Sequence, residues 1–198
     1  MPKKRACLLA LALLLISCSP RDFLTRRLAT DLISAADAFK TPQSYVLQTG
    51  VVSNQANASP EMLVLQQRGW ISSTRVNCPP SLAPPPCWDI LLSPSGVDTV
   101  RAVVSAEDSS KPAFAIPVAR RELVSVTGIS KEGSQADVDF TWRWIPLNEI
   151  GAAIYSSDLH YKSTVAFRDY DDGWRVVLSA PHSAQSLDDA LKNAEPVP

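Results

Sequence analysis

The chain has 198 residues, 45% of them hydrophobic, and its 19 basic and 20 acidic side chains give a net charge of −1. This balance provides no basic field for a nucleic-acid backbone, so nucleic acid is not an expected partner. The length beyond the N-terminal segment suits one domain with a sizeable core, which we predict over residues 18–198. Its 16 prolines lie mainly in loop-like stretches, which indicates irregular connections within a globular chain.

The N-terminal segment has the pattern of an export signal. Three cationic residues, Lys3–Arg5, precede an apolar run of 11 residues from Ala6 to Ile16. That run is too short to span a bilayer and has the length of a signal-peptide core. It leads into the sequence LISC at residues 15–18, which resembles the lipobox of bacterial lipoproteins. The alternative is an ordinary secreted protein in which Cys18 has no special role.

The resemblance implies a signal peptide over residues 1–17 and lipidation of Cys18 with a thioether-linked diacylglycerol and an amide-linked acyl chain such as palmitate. Several acyl chains give stable membrane attachment, whereas a single chain binds only marginally. Ser19 stands where Asp would be similar to an inner-membrane retention signal. The resemblance therefore favours the outer membrane with the domain facing the periplasm, and the inner membrane is the alternative.

The remaining cysteines fit the same compartment. With Cys7 in the leader and Cys18 lipidated, Cys78 and Cys87 are left. Such a pair in an oxidising periplasm is most simply a disulfide. The segment between them contains five prolines, which make it too stiff for a regular element. No CxxC pair or nearby His completes a ligand set, so no metal is predicted.

Helix-capping residues and apolar spacing predict the elements of the first half. Helical spacing runs from Arg21 to Lys40 and stops at Pro42. A second helix starts at Ser59-Pro-Glu, which offers a cap, a first-turn proline and an acid near the positive end, and it runs to Arg68 with Gly69 as its stop. The other predicted elements are strands at Tyr45–Ser53, Trp70–Val76, Trp88–Leu92 and Val97–Ser105, a loop at Asn54–Ala58 and a turn at Pro94–Gly96.

The second half contains the strongest strand pattern, Asp137–Ile145. Apolar residues alternate with polar ones there, which is typical of a strand with one buried and one wet face. The predicted core face carries Val138, Phe140, Trp142 and Trp144, and the predicted surface face carries Asp137, Asp139, Thr141 and Arg143. Burial explains these tryptophans without a carbohydrate-binding platform.

Further strands and two short helices complete the second half. The predicted strands are Phe114–Val118, Leu123–Ile129, Lys162–Tyr170 and Trp174–Leu178, with Arg120–Glu122 between the first two and turns at Lys131–Gly133 and Asp171–Gly173. The predicted helices are Pro146–Ile154 and Leu187–Ala194, the second begun by the capping box Ser186–Asp189. The fold class is α+β, with a curved antiparallel sheet of about six to eight strands and helices packed on one face.

A search for catalytic signatures finds neither GxSxG, HExxH nor a Gly-rich phosphate loop, and we predict no catalytic residue and no cofactor. The acidic turn Asp169–Gly173 fails the spacing of a calcium loop. Candidate ligand-binding residues are Asp139, Asp158 and His160, of which the last two could form an acid–base pair. His182 is a weaker candidate.

Two functional hypotheses follow. The first is a membrane-anchored envelope lipoprotein whose domain is a non-enzymatic binding or assembly module for an envelope protein, a glycan or a lipid. The second is a small-ligand enzyme on a curved sheet of the ketosteroid-isomerase-like kind, with Asp139, Asp158 or His160 as base, and it rests on fold analogy alone. A deep apolar pocket holding a buried carboxylate or His favours the enzyme, and a filled interior favours the binding module.

Overall fold

The computed structural model describes residues 23–82, 84–105, 111–179 and 185–197. Cys7, Cys18 and His182 lie outside these residues. The chain divides into two compact units, each built from discontinuous segments. The first unit contains the described residues of Met1–Ala36, Leu123–Thr141 and Tyr161–Glu195, and the second those of Asp37–Glu122, Trp142–His160 and Pro196–Pro198.

Helices and strands alternate irregularly along the chain. The helices are α1 (Arg26–Ala35), α2 (Asp37–Lys40), α3 (Asn54–Asn57), α4 (Pro60–Gln67), α5 (Pro94–Arg101), α6 (Glu149–Ile154) and α7 (Leu187–Lys192), with a 3-10 turn at Pro80–Leu82. The strands are β1 (Gln43–Gln48), β2 (Gly50–Ser53), β3 (Ile71–Val76), β4 (Cys87–Leu92), β5 (Ala113–Glu132), β6 (Gln135–Pro146), β7 (His160–Tyr170), β8 (Gly173–Val176) and β9 (Glu195–Val197).

The strands form two sheets. A six-stranded antiparallel sheet has the order β1-β5-β6-β7-β8, with β9 also paired to β7, and it is not closed. A three-stranded sheet has the order β2-β4-β3. The predicted α+β class with an antiparallel sheet of about six to eight strands is therefore confirmed, and the sheet has six.

In the second unit, the core lies among β1, the small sheet and helices α4 to α6. Its buried side chains are Leu47, Val52, Met62, Leu65, Ile71, Ile90, Val100, Phe114, Ile116, Val118 and Ile150. Two glycines allow helices to approach this core closely: a Cβ on Gly96 would lie 1.9 Å from the Trp70 carbonyl oxygen, and one on Gly151 would lie 1.8 Å from that of Val118. Only a residue without a side chain fits at either position.

In the first unit, helix α1 packs against β8, and α7 is tied to β7. The buried apolar side chains are Ala29, Ile33, Ala36, Val126, Ala136, Val138, Phe140, Val165, Phe167, Trp174, Leu187, Ala190 and Leu191. The β7–β8 hairpin turns at Asp171-Asp172, and Gly173 has the positive φ of 117° that the turn needs. Ser186 caps α7 by accepting from the Asp189 amide, as the capping box predicts.

Several predicted elements are confirmed. Helix α4 has its Ser59 cap, and Gly69 follows it with φ of 70°. The strand at residues 137–145 is β6, and all four residues of its predicted core face are buried. On the opposite face Asp137 is exposed, but Asp139 and Arg143 are half-buried and bonded to neighbours, so they are not merely solvated as predicted.

Other boundaries in the first half are wrong. The first helix begins at Arg26, after the Thr25 cap, and is interrupted at Ala36, whose ψ of 147° is extended. The predicted strand 45–53 is two strands in different sheets, separated where Gly50 has a φ of 78°. The predicted loop 54–58 contains helix α3, capped by the Ser53 hydroxyl.

The segments 94–105 and 113–132 depart furthest from the prediction. Residues 94–101 form helix α5 in place of a turn and the start of a strand, because the Ser93 hydroxyl caps a helix at the Gly96 amide. Residues 113–132 form the single strand β5, with no loop at Arg120–Glu122.

Two smaller differences concern the second half. Helix α6 starts after the Asn148 cap and not at Pro146, which ends β6. Strand β9, from Glu195 to Val197, was not among the predicted elements.

Candidate functional site

The disulfide Cys78–Cys87 joins the end of β3 to the start of β4. The Cα atoms are 5.1 Å apart across a sequence separation of nine residues, and Val76 pairs with Cys87 in the ladder. Cys87 is completely buried. The predicted disulfide is confirmed. Trp88, the next residue, donates from its indole nitrogen to the Asn54 side-chain oxygen over 3.0 Å and packs against the core of the second unit.

A cation lies on the tryptophan face of β6 in the second unit. The Arg121 guanidinium is 4.5 Å from the ring centre of Trp144 and 5.6 Å from that of Trp142. The two indoles meet edge to face at 5.4 Å, and Tyr155 packs on Trp144 at 4.7 Å. Arg121 also donates to the Ala38 carbonyl oxygen over 3.1 Å. This cluster has the components of an aromatic cage for a cation, but the protein's own arginine occupies it.

Two ionisable groups of the second unit are held by neighbours. Arg143 donates from Nε to a Glu122 carboxylate oxygen over 2.8 Å, and its Nη2 is 2.7 Å from the same oxygen. Both side chains are more than a third exposed, so this ion pair contributes little to stability. Burial, together with the nearby Glu61 carboxylate, raises the pKa of Tyr45 to about 12. Burial penalises the charged phenolate, so this tyrosine stays protonated to a higher pH than a solvent-exposed tyrosine does.

Among the predicted ligand-binding residues, Asp139 has the most defined environment. It lies on β6 in the first unit, half-buried, and accepts a 2.6 Å hydrogen bond from the Thr164 hydroxyl on β7. A Cβ on Gly128 would lie 3.1 Å from the Asp139 Oδ2 atom, so the glycine leaves room for the carboxylate. Asp139 is thus a paired carboxylate on a polar sheet face and not an acid in a hydrophobic pocket.

Asp158 and His160 belong to the second unit and do not form the predicted acid–base pair. Asp158 is exposed, and its amide donates to the Ser156 hydroxyl over 3.3 Å. His160 is half-buried at the start of β7, and no hydrogen bond or ion pair joins it to Asp158 in the part of the chain that the structure describes. Asp139 belongs to the first unit.

A polar pocket in the first unit is the candidate ligand site. Its volume is about 250 Å³, and its lining comes from β7, from the segment before α7 and from the segment after it. The polar lining residues are Lys162, Ser163, Thr164, Gln185, Asn193 and Glu195. Thr164 connects this pocket to Asp139. Hydroxyl, amide, ammonium and carboxylate groups on one surface offer both donors and acceptors to a polar ligand.

Sequence reasoning missed this pocket because no local signal marks it. Lys162 and Gln185 are more than 20 residues apart and neither belongs to a recognisable motif. They meet because the segment before α7 returns to β7, where the Ala166 amide donates to the Gln185 carbonyl oxygen. The core of the second unit contains an apolar cavity of about 10 Å³, lined by residues such as Leu47 and Ile150. Open surface pockets of about 390 and 410 Å³ lie elsewhere in that unit.

Residues 23–82, 84–105, 111–179 and 185–197 contain neither a metal-binding cluster nor a membrane-spanning helix. No group of three or more His, Cys, Asp or Glu in those ranges could hold a metal ion. No helix there combines the length and the apolar character needed to cross a bilayer. Comparison of the chain with protein-family models, curated proteins and solved structures found no match.

Proposed function

We propose that this chain is a lipid-anchored lipoprotein of the bacterial envelope. Acyl chains on Cys18 hold it in the outer membrane, and its globular part faces the periplasm. The observation that carries the proposal is the leader itself, in which a basic start, an 11-residue apolar run and LISC at residues 15–18 follow in order. The Cys78–Cys87 disulfide supports it, because disulfides persist in oxidising compartments such as the periplasm.

The globular part acts as a non-enzymatic binding or assembly module in this proposal. Three observations support a module over an enzyme with one of these residues as base: the small cavity in the core of the second unit, the hydrogen bond from Thr164 to Asp139, and the lack of a bond between Asp158 and His160 among the described residues. The polar pocket of the first unit is its ligand site, with an envelope protein, glycan or lipid as partner. Its mixed donors and acceptors suit a polar group on any of these partners.

Metabolic labelling with palmitate tests the anchor. The wild-type chain should incorporate label in a bacterial host, and Cys18→Ala should not. Cys7→Ala is the matched control, because it removes a cysteine from the same leader without touching the acylation position. Equal labelling of wild type and Cys18→Ala would refute the anchor. Membrane fractionation then tests the location: Ser19→Asp should move the labelled protein from the outer to the inner membrane.

Photo-crosslinking in living cells tests the pocket. A photoreactive amino acid at Asn193, an exposed pocket residue, should give a discrete adduct whose mass identifies a protein, glycan or lipid. The same amino acid at Val51, which is 42% exposed in the second unit, is the control. An adduct pattern at Asn193 identical to that at Val51 would contradict the assignment of the pocket.

A further inference from the structure

The N-terminal end of the first unit lies within a short tether of the proposed anchor. Phe23 is five residues from Cys18, so even a fully extended chain separates them by no more than about 18 Å. Phe23 is 60% exposed, the largest exposed fraction among the large apolar residues that the structure describes. If Cys18 is acylated, as the proposed function requires, this aromatic ring is always within reach of the bilayer surface.

The first turn of α1 carries positive charges that interact unfavourably with the helix dipole. Arg26 and Arg27 occupy its first two positions, and the turn has no acidic residue. The N-terminal end of a helix is electropositive, so cations there are unfavourable and acids are preferred. Over residues 19–27 the sequence has three arginines and one aspartate, a net charge of +3 − 1 = +2. The repulsion between these arginines and the electropositive end of α1 does not stabilise the fold.

The two arginines differ in their contacts. Arg26 donates from Nη2 to the Thr127 carbonyl oxygen of β5 over 3.2 Å, which fixes its direction. Arg27 is exposed and forms no hydrogen bond or ion pair with the described residues. Asp31, the acid of α1, lies four residues farther on but makes no ion pair with it. A sequence that breaks a local rule without structural compensation often does so at a functional position.

We propose that Phe23, Arg26 and Arg27 form a membrane-contact patch that docks the first turn of α1 on an anionic phospholipid surface. The Phe23 ring enters the interfacial region, where aromatic rings are favoured, and the guanidinium groups bind lipid phosphates. The acyl tether supplies a high effective concentration of bilayer, so a weak intrinsic affinity is sufficient. Docking fixes the orientation of the first unit on the membrane instead of leaving it to rotate about its tether.

Reconstitution of the full-length acylated protein in vesicles tests the patch. With Cys18 acylated and Cys78 bonded to Cys87, Phe23→Cys supplies a free thiol for an aromatic, environment-sensitive fluorophore that takes the place of the Phe23 ring. The vesicles contain phosphatidylcholine alone or equal parts of phosphatidylcholine and phosphatidylglycerol. Emission from position 23 should shift to the blue on the anionic vesicles and return towards the aqueous value at high salt, because salt screens the attraction.

Charge variants then assign the effect to the arginines. Each basic residue at an anionic membrane surface contributes about a fivefold factor to binding, so Arg27→Gln should lower the ratio of docked to undocked protein about fivefold. Arg26→Gln combined with Arg27→Gln should lower it about 25-fold. Lys192→Gln is the matched control, since it removes one exposed positive charge from the same unit and should leave docking unchanged.

The outcomes separate this inference from the anchor. Acylated, vesicle-bound protein with water-like emission at position 23 would overturn the patch alone, as would equal losses for Arg27→Gln and Lys192→Gln. Protein without acyl mass on Cys18 would instead overturn the proposed function. In detergent, Arg27→Gln should unfold at the same or a higher temperature, because it removes a cation from the positive end of α1. Lost docking therefore cannot be attributed to misfolding.

Discussion

Alanine substitutions at two adjacent residues of β6 should lower the free energy of unfolding by very different amounts. Trp142 and Arg143 are consecutive, so their side chains leave the strand on opposite faces. Trp142 is 2% exposed and meets the Trp144 ring edge to face. Arg143 is half-buried and held by Glu122. The variants Trp142→Ala and Arg143→Ala therefore compare the core face with the solvent-facing side within one strand.

The expected magnitudes follow from these contacts. Truncation of a buried tryptophan to alanine costs about 3–5 kcal/mol, which includes the cavity left behind. The range of about 3–5 kcal/mol already includes the loss of the edge-to-face pair and of the Arg121 contact. Such aromatic and cation–π interactions each contribute about 0.5–1.5 kcal/mol. Arg143→Ala removes a partly exposed ion pair, for which about 0.2–1 kcal/mol is typical.

Urea unfolding of residues 19–198, followed by far-UV circular dichroism, measures both losses without depending on tryptophan emission. A loss for Trp142→Ala at least three times that for Arg143→Ala is expected. Near-equal losses would refute the assignment of faces, or would mean that the Glu122–Arg143 pair is far more important than its exposure implies. Glu122→Ala is the control, because removal of either partner should abolish the same interaction.

Three further predictions concern other parts of the chain. The double variant Cys78→Ser/Cys87→Ser should lower the urea midpoint, with a loss of about 2–3 kcal/mol or less because the prolines already restrict the unfolded loop; an unchanged midpoint would contradict this. Thr164→Val should cost about 1–2 kcal/mol by removing the donor to Asp139, measured by the same unfolding; no loss would mean that water replaces the hydroxyl. Absorbance at 295 nm should show a wild-type transition near pH 12 that Tyr45→Phe lacks. Because the folded-state pKa is raised, its contribution to stability is complete below about pH 10 and is lost as the pH rises through about 12.

Local signals were sufficient at helix α4, where a single residue determines each end. Helix α4 begins after Ser59, whose hydroxyl accepts a hydrogen bond from a backbone amide of the first turn. It ends before Gly69, whose positive φ stops the helix. The alternation along β6 predicted its buried face because a strand with one face in a core repeats every two residues. The disulfide followed from compartment and from the number of cysteines left over.

Contacts distant in sequence decided the segments that were predicted wrongly. The Pro-Ser-Gly sequence at residues 94–96 has the composition of a turn, yet Gly96 lies in the helix that Ser93 caps, packed where only glycine fits beside the Trp70 carbonyl oxygen. The polar pocket likewise depends on the return of the chain to β7. Neither the contact with Trp70 nor the return of the chain to β7 can be predicted from the local sequence pattern.

Strand β5 shows why Arg120–Glu122 suggested a loop and yet lies within a strand. Buried residues alternate up to Val118, but the next buried residue is Ala119, so the alternation slips by one. The pairing with β1 shifts register at the same place, between Gln43 and Ser44, as a β-bulge requires. A slip of one residue transfers the following side chains to the opposite face, and Arg121 thereby reaches the tryptophan rings of the second unit. A period-two search must fail at such a position. The sequence shows a break in alternation followed by three charges, whereas the structure continues the strand and gives partners to two of those charges, Arg121 and Glu122.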